Sequence, residues 1–457
     1  MSGLNTGYSI VSQALQAFQA AMDVTSNNIA NVNTAGYTRQ TAILGETAAS
    51  QGYGLNPYQI GTGVTVETIA QIQNSLLNGS MQGAQSGLGQ YQTLASTLQS
   101  VQQAFPEPSA NGIGAALSGF FNAWSGLAAN PGSTAAKLSV QQAASTLTSK
   151  VQSTYGQLQQ QSQQVNSQIS NTFNQIDQLT GEIAKLNTQI AAQTASNGAP
   201  NALLDQRGLD LQKLGNLIDI QTSTNSNGSV NVYSNGLNLV DQGGPTAMPR
   251  TFSASSLTFT SGSTSVSIQG GQLAGYVQAL NKIQGYQGQL NTLANNLTTQ
   301  VNAIHQSGVN GLGKTNVQFF ASTNPPSGAA GFALSAAVLA DPNAIASGAS
   351  GKPGDGGLAL SLAHLSSGSQ KALGNMSFTD YYQSLVGNIG TDVVSANNAQ
   401  TTSTALVTQI QNQQQSVSGV NIDEEMSNML MYQNSYQAAA KALSVFDQTT
   451  NTLIQMV

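Results

Sequence analysis

The positions Val11, Leu15, Phe18, Met22, Thr25, Ile29 and Val32 follow one another in alternating steps of four and three. That is the seam of a coiled coil. It is too narrow for burial in a large core, and a helix of this kind needs a partner helix to be stable. The other end of the chain repeats the pattern at Ile422, Met426, Met429, Gln433, Tyr436, Ala440, Leu443, Phe446, Thr450, Leu453 and Val457. Two such seams at opposite ends of 457 residues place both termini in one helical stem and everything between them in nested insertions.

Between the seams the periodicity changes several times. After the first helix, Asn31, Asn33 and Gly36 supply stop signals, with Gly36 suited to left-handed backbone. Gly52, Gly54, Pro57, Gly61 and Gly63 around Val64 and Val66 predict a loop with one short strand. A helical pattern from 71 to 150 is interrupted at Pro106, Pro108 and Pro131. A cleaner run, Val151 through Ile190, predicts a helix of about 60 Å at 1.5 Å per residue, followed by a turn at Asn197-Gly198 and a return helix over Leu203 to Ile218. From 219 to 270, Val230, Val232, Leu237, Leu239, Phe252, Leu257, Phe259, Val266 and Ile268 lie among Ser, Asn and Gly, as short strands do. Helical spacing resumes from Leu290 to Ile304, a Gly/Pro-rich section with Pro325-Pro326 follows, and residues from 378 onward read as helix.

The expected fold is mainly α with a β insertion. A long coiled-coil-like stem is formed by residues 1–70 with 400–457. A helical bundle takes 71–218 with 271–310 and 356–399. A small β-rich outer domain takes 219–270, with or without 311–355.

Composition narrows the function. Only 7% of residues are charged, with 12 Lys and Arg against 18 Asp and Glu, so no basic stripe exists to neutralise phosphates, and nucleic acid is excluded as a partner. No cysteine and two histidines leave no thiolate chemistry and little for zinc or general-base work. Catalytic, cofactor-binding and metal sites are expected to be absent. No run of about 18 apolar residues occurs, so no membrane span is expected, and the amino terminus lacks the layout of a cleaved secretion signal.

Four features invite a chemical reading. Gly308, Gly313, Lys314 and Thr315 match the spacing of a phosphate-binding loop, which requires a strand before it and a helix after it. Here helical spacing precedes it and Pro325-Pro326 follows, so a glycine-rich turn is expected. His305 and His364 lack nearby ligand partners and are expected to be structural. Asp423, Glu424 and Glu425, the only acidic cluster, suit the first turn of a helix, where carboxylates oppose the helix dipole. Asn27, Asn28, Asn31 and Asn33 are readable as a polar binding surface or as a helix terminus competing for its own carbonyls.

The stretch NNIANVNTAGYTRQ, Asn27 to Gln40, resembles the amino-terminal signature of bacterial flagellar axial proteins: rod, hook and hook-associated proteins. Asn27, Asn28, Asn31, Asn33, Gly36 and Tyr37 carry it. The end of the chain, SGVNIDEEMSNMLMYQNSYQAAAKALSVFDQTTNTLIQMV, resembles the carboxy-terminal region of the FlgK family of hook-associated proteins, as do PNALLDQRGLDLQKL and the segment around GGQLAGYVQALNKIQ. The resemblance spans nearly the whole chain and is weakest over 222–268 and 316–355.

What it implies is a structural, non-enzymatic protein of the hook-filament junction, needing no cofactor. About eleven copies would form a ring at the distal end of the hook, a head-to-tail arrangement needing two different complementary faces on each copy. The implied partners are copies of itself, hook protein, a second junction protein (hook-associated protein 3) and an export chaperone at the carboxy-terminal helix. The implied location is extracellular, after secretion through the flagellar type III apparatus. The assembly interface is expected at Val11, Leu15, Phe18, Met22, Ile29, Val32, Met426, Met429, Tyr436, Leu443, Phe446 and Leu453, with stem helices largely disordered until they bind their neighbours. A hook or distal-rod protein would share Asn27 to Gln40. A nucleotide-hydrolysing enzyme would depend on Gly308 to Thr315, and a secreted adhesin on the β insertion.

Overall fold

The structure is a computed structural model that describes residues 2–48, 50–51, 59–196, 198–248, 251–253, 258–261, 264–323, 326–352 and 354–456. The readings at Gly52, Gly54, Pro57, Asn197, Leu257, Pro325 and Val457 fall outside these residues. The helices are α1 (Ser2–Ala30), α2 (Ser75–Gln102), α3 (Ile113–Ala129), α4 (Thr134–Ala195), α5 (Asn201–Leu217), α6 (Gly271–His305), α7 (Ala336–Ala340), α8 (Gly357–His364), α9 (Phe378–Ser418) and α10 (Ile422–Gln455). The strands are β1 (Gln40–Glu46), β2 (Ser50–Gln51), β3 (Gln59–Ile60), β4 (Val64–Gln71), β5 (Gln221–Thr224), β6 (Val230–Ser234), β7 (Leu237–Asp241), β8 (Gly244–Pro245), β9 (Thr251–Ser253), β10 (Thr258–Ser261), β11 (Thr264–Ser267), β12 (Val309–Asn310) and β13 (Ala346–Gly348). The fold is mainly helical with small antiparallel sheets, and its helices and strands separate into two compact units.

The first unit comprises Met1–Gly87, Gln175–Met248 and Ser403–Val457. Here α1 packs on α10 and on the β1–β4 ribbon. β1 was not legible as a strand: Ala42, Ile43 and Leu44 put apolar residues on both faces, which hides the two-residue alternation, and a bulge between Ile43 and Leu44 shifts the register. The antiparallel sheet β5-β6-β7-β8 buries Val230, Val232, Leu239 and Val240, while α4 and α5 contribute buried Ile176, Ile183, Ile190, Leu211 and Leu214. The β6–β7 turn is tight because Asn235 and Gly236 both take positive φ, 45° and 85°, the twist a two-residue hairpin requires.

The second unit comprises Leu88–Asn174 and Pro249–Thr402. Its core is aromatic. α3 buries Ile113, Leu117, Phe120, Phe121, Trp124 and Leu127, at steps of three and four that put them on one helical face. Phe319, Phe320, Phe332 and Phe378 complete the cluster, with Trp124 and Phe319 ring centroids 5.2 Å apart. α6 and α9 are tied by Asp392, which accepts hydrogen bonds from the Tyr286 hydroxyl at 2.6 Å and Lys282 at 2.8 Å. α2 and α6 cross so closely that a Cβ at Gly275 would lie 2.3 Å from the Gln90 carbonyl oxygen.

Three elements differ from the sequence reading. α4 begins at Thr134, not near 151, so its 62 residues extend about 93 Å where about 60 Å was expected. Pro131 interrupts the helix only briefly: the Ser133 hydroxyl accepts the Ala136 N–H at 3.2 Å and restarts it, and Val140, Ala144 and Leu147 keep its buried face regular. The 219–270 region forms two separate sheets, β5–β8 and the three-stranded β11-β10-β9. The helical run from 378 breaks at 419–421, where a Cβ on Gly419 would lie 2.3 Å from the Gln415 carbonyl oxygen and Asn421 caps α10.

Candidate functional site

Three of the four sequence stretches singled out for their resemblance meet in the first unit, through residues 27–40, 200–207 and 423–425. Beyond Ala30 the chain turns tightly, and Gly36 takes φ +80°, where any Cβ would collide with Leu209 at about 2.5 Å. Its left-handed geometry is as expected, but it lies in the turn rather than directly after the helix. Asn31 behaves as a helix terminus, its amide donating to the Asn27 backbone oxygen at 3.0 Å. Asn33 is exposed.

Asn28 is different: it is 1% exposed and uses its whole amide. Its Oδ1 accepts from the Gln40 N–H at 3.0 Å and from the Tyr37 hydroxyl at 2.8 Å; its Nδ2 donates to the Gln40 carbonyl at 2.8 Å and to Glu425 Oε2 at 2.9 Å. The other Glu425 oxygen accepts from Arg39 Nε at 2.7 Å, and Arg39 Nη1 donates to Glu424 at 2.7 Å. The Glu425 side chain is 3% exposed and that of Glu424 57%. Burial, with Asp205 and Glu425 nearby, pushes the Tyr37 hydroxyl up to about 12, so it stays a donor. The acidic triplet thus does more than oppose a helix dipole: two of its members bind the amino-terminal motif.

α5 supports the same turn from below. Asn201 donates to the Ile69 carbonyl at 2.8 Å, and Asp205 accepts from Gln71 Nε2 at 2.8 Å and from Thr38, with its carboxyl raised by burial. Arg207, 7% exposed, donates to Asn187 Oδ1 at 3.0 Å and the Gly228 carbonyl at 2.7 Å; burial lowers its guanidinium to about 10. Asn27, Asn31, Tyr37, Asn201 and Asp205 line an open cleft of about 530 Å³.

A second contact fixes the α1–α10 pairing. The Phe446 ring lies over Gly7, where a Cβ would sit 2.8 Å from it. Gly7 and Asn28 are 21 residues apart, as are Glu425 and Phe446, so the helices run antiparallel in register for three heptads. Ala14 and Ala21 fall on the Gly7–Asn28 line, and Tyr432 and Ala439 on the facing one. The expected seam on α1, and that on α10 as far as Ala440, therefore lie one residue from these lines, whereas Phe446, a member of the expected seam, lies on the α10 line itself. Val11 and Phe18 flank the line on α1, and Met429, Tyr436 and Leu443 flank it on α10, all half-buried. Leu15, Met22 and Ile29 lie further round and are also half-buried, as is Val32 in the turn beyond α1, whereas Met426 and Leu453 are each 49% exposed. Fully buried on α1 are Ala17, Ala21, Val24, Thr25 and Asn28. Small residues let the partner helix approach closely, a signal masked by the larger apolar side chains beside them.

The other chemical candidates resolve into structural roles. In the Gly308 to Thr315 loop, Asn310 Oδ1 accepts the N–H groups of Leu312 and Lys314, the Asn310 carbonyl accepts that of Gly313, and Asn343 accepts that of Gly311. Amides turned inward in this way do not present donors to a phosphate. The helix before it and strand β12 within it are the reverse of the required order. The His305 ring is 1% exposed; Nδ1 donates to the Val317 carbonyl at 2.7 Å and Nε2 accepts the Ala346 N–H at 3.0 Å, so neither nitrogen is free to bind a metal or take a proton from a ligand. Burial holds its imidazole down at about 4. His364 is exposed at the end of α8.

Among the described residues, no group of three or more His, Cys, Asp and Glu could hold a metal ion, and no helix is long and apolar enough to cross a membrane. The family model for the flagellar hook-associated protein FlgK helical domain matches residues 98–320. Those for the flagella basal body rod protein and the flagellar basal body rod FlgEFG protein C-terminal match 10–38 and 405–456. Flagellar hook-associated protein 1 of Bacillus subtilis is 27% identical over 99% of this chain and 98% of its own, and that of Escherichia coli 26% over 97% and 98%. The solved structure of the flagellar hook junction protein FlgK from Burkholderia pseudomallei superposes with a TM-score of 0.64 at 20% identity, covering 74% of this chain and 100% of the other, which shows a shared fold.

Proposed function

Because the chain belongs to the FlgK family of flagellar hook-associated proteins, we propose that it is a structural, non-catalytic component of the bacterial flagellum that assembles as a ring at the distal end of the hook and joins it to the next junction protein and the filament. The observation that carries the reading is the set of apolar side chains that α10 leaves exposed. Ile422, Met426, Leu430, Val445, Leu453 and Ile454 are each 49% to 68% exposed on a helix that already packs on α1. A stem closed within one copy and apolar on its outside has two distinct faces, as head-to-tail assembly requires.

In this reading the interface residues divide. Val11, Phe18, Met429, Tyr436, Leu443 and Phe446 serve the stem of each copy, while Met426 and Leu453 meet neighbours. Residues 451–456 are all exposed and complete their packing on assembly. Copies of itself in a ring of about eleven, hook protein and hook-associated protein 3 are the proposed partners. An export chaperone would hold the carboxy-terminal helix before secretion by the flagellar type III route to the cell exterior. The stem, bundle and outer-domain division of the chain is part of the same proposal. Deleting the gene tests it: electron microscopy is expected to show completed hooks without filaments, with flagellin monomer in the medium. Normal filaments in the deletion strain would overturn the reading.

A further inference from the structure

The first turn of the carboxy-terminal helix is pinned by charge. Of the 34 residues of α10, Glu425 is the only one that is buried. The apolar side chains facing α1, including Tyr432, Leu443 and Phe446, remain half-buried, so they exclude water incompletely. Arg39 grips both sides of the break between α9 and α10: its backbone N–H donates to the Ser418 carbonyl at 3.0 Å on the α9 side, and its guanidinium binds Glu424 and Glu425 on the α10 side. Arg39 is itself fixed, since its carbonyl accepts the Ile72 N–H at 2.9 Å beyond β4. It is also the only lysine or arginine in the first 136 residues, so no other cation in that segment can take its place.

We propose that Arg39 is an ionic latch that governs whether α10 lies along α1 or swings away as a strap on the Gly419–Asn421 hinge. The Glu424 contact is solvent-exposed and is screened by salt, whereas the Glu425 contact is buried and resists screening. The latch therefore loosens with ionic strength but does not vanish. This inference does not rest on the flagellar reading.

The sequence supplies its own reporter. Lys441 is the only lysine or arginine after residue 371 and is exposed, so trypsin releases residues 442–457 by one cut once the α10 backbone around it unfolds, which loss of its packing on α1 favours. Release from the full-length monomer is measured by mass spectrometry at 50 mM and 1 M NaCl for wild type, Arg39→Gln and Arg39→Lys. Loss of a buried charge-assisted hydrogen bond together with its exposed partner predicts release at least about tenfold faster in Arg39→Gln. Arg39→Lys should be intermediate, because a single amine does not span two carboxylates as a guanidinium does. Salt should accelerate wild type several-fold and leave Arg39→Gln unchanged, a difference that a merely structural residue would not produce. Emission of the single Trp124, in the second unit, verifies that each variant is folded. Equal release from wild type and Arg39→Gln, including both at the rate of an unfolded peptide, overturns the latch, as does a salt response that persists without Arg39.

Discussion

Exchanging one nitrogen for one oxygen at residue 28 should undo the pairing of the two terminal helices, and acid should restore it. In Asn28→Asp the amide that donates to Gln40 and, at 2.9 Å, to Glu425 becomes a second carboxylate. At that separation and an effective dielectric of about 20, two full charges repel by about 6 kcal/mol, so the pair binds a proton instead. Protonating one carboxyl with an ordinary value near 4 costs about 4 kcal/mol at pH 7 but only about 1.4 kcal/mol at pH 5. The sign follows from linkage: the docked state of the variant raises the carboxyl above its unfolded value, so docking is favoured in acid and is lost as pH rises through the raised value. Amide hydrogen exchange across 425–446, corrected for intrinsic rates, reads this directly. The variant should exchange up to about a thousandfold faster than wild type at pH 7 and within about tenfold at pH 5. Asn28→Ala, which loses the bonds without adding charge, should show a deficit independent of pH. Wild-type protection in Asn28→Asp at pH 7, or equal deficits at both pH values, would refute the reasoning.

Three further outcomes are expected. His305 has its imidazole lowered to about 4 from an ordinary 6.5, so its contribution is fully present above pH 6.5 and is lost as pH falls toward 4; about 3 kcal/mol is at stake. Denaturant midpoints read by Trp124, whose ring centroid lies 6.3 Å from that of His305, should fall over this window in wild type more than in His305→Gln. Tyr286→Phe removes the 2.6 Å hydrogen bond to Asp392 and should cost about 2 kcal/mol in thermal unfolding; an unchanged melting temperature would remove that bond from the account of α6–α9 packing. Removing residues 422–457 should abolish self-association in sedimentation while leaving Trp124 emission native, and a chain unfolded throughout by circular dichroism would contradict the division of labour proposed for the stem.

The helical character of both termini was legible because four-and-three spacing survives in Val11 to Val32 and Met426 to Leu453, and the motif around Asn28 was visible as a motif. The one-residue offset of the seam on α1 and on α10 before Phe446 was not. Periodicity weights large apolar side chains, whereas the close approach here is at Gly7, whose importance lies in what it leaves out. The role of Glu425 was hidden for another reason: its partners precede it by 397 and 386 residues, and no local rule connects them. The one available hint was compositional, a lone cation in the first 136 residues and a lone acidic triplet near the end. α4 was underestimated because the cleaner run from Val151 was read apart from the helical pattern before it, which continues without a break from Thr134.

The register between α1 and α10 makes the closed stem a test of completeness. Asn28 is made early and its partner Glu425 almost last, so a chain that stops between Thr402 and Glu424 has every residue of the amino-terminal motif and nothing to close it with. Such a fragment could still fold its aromatic core and resist proteolysis there. It would lack the one feature that requires both ends of the message to have been read, and any lattice that selects for that feature rejects unfinished copies without a separate inspection step.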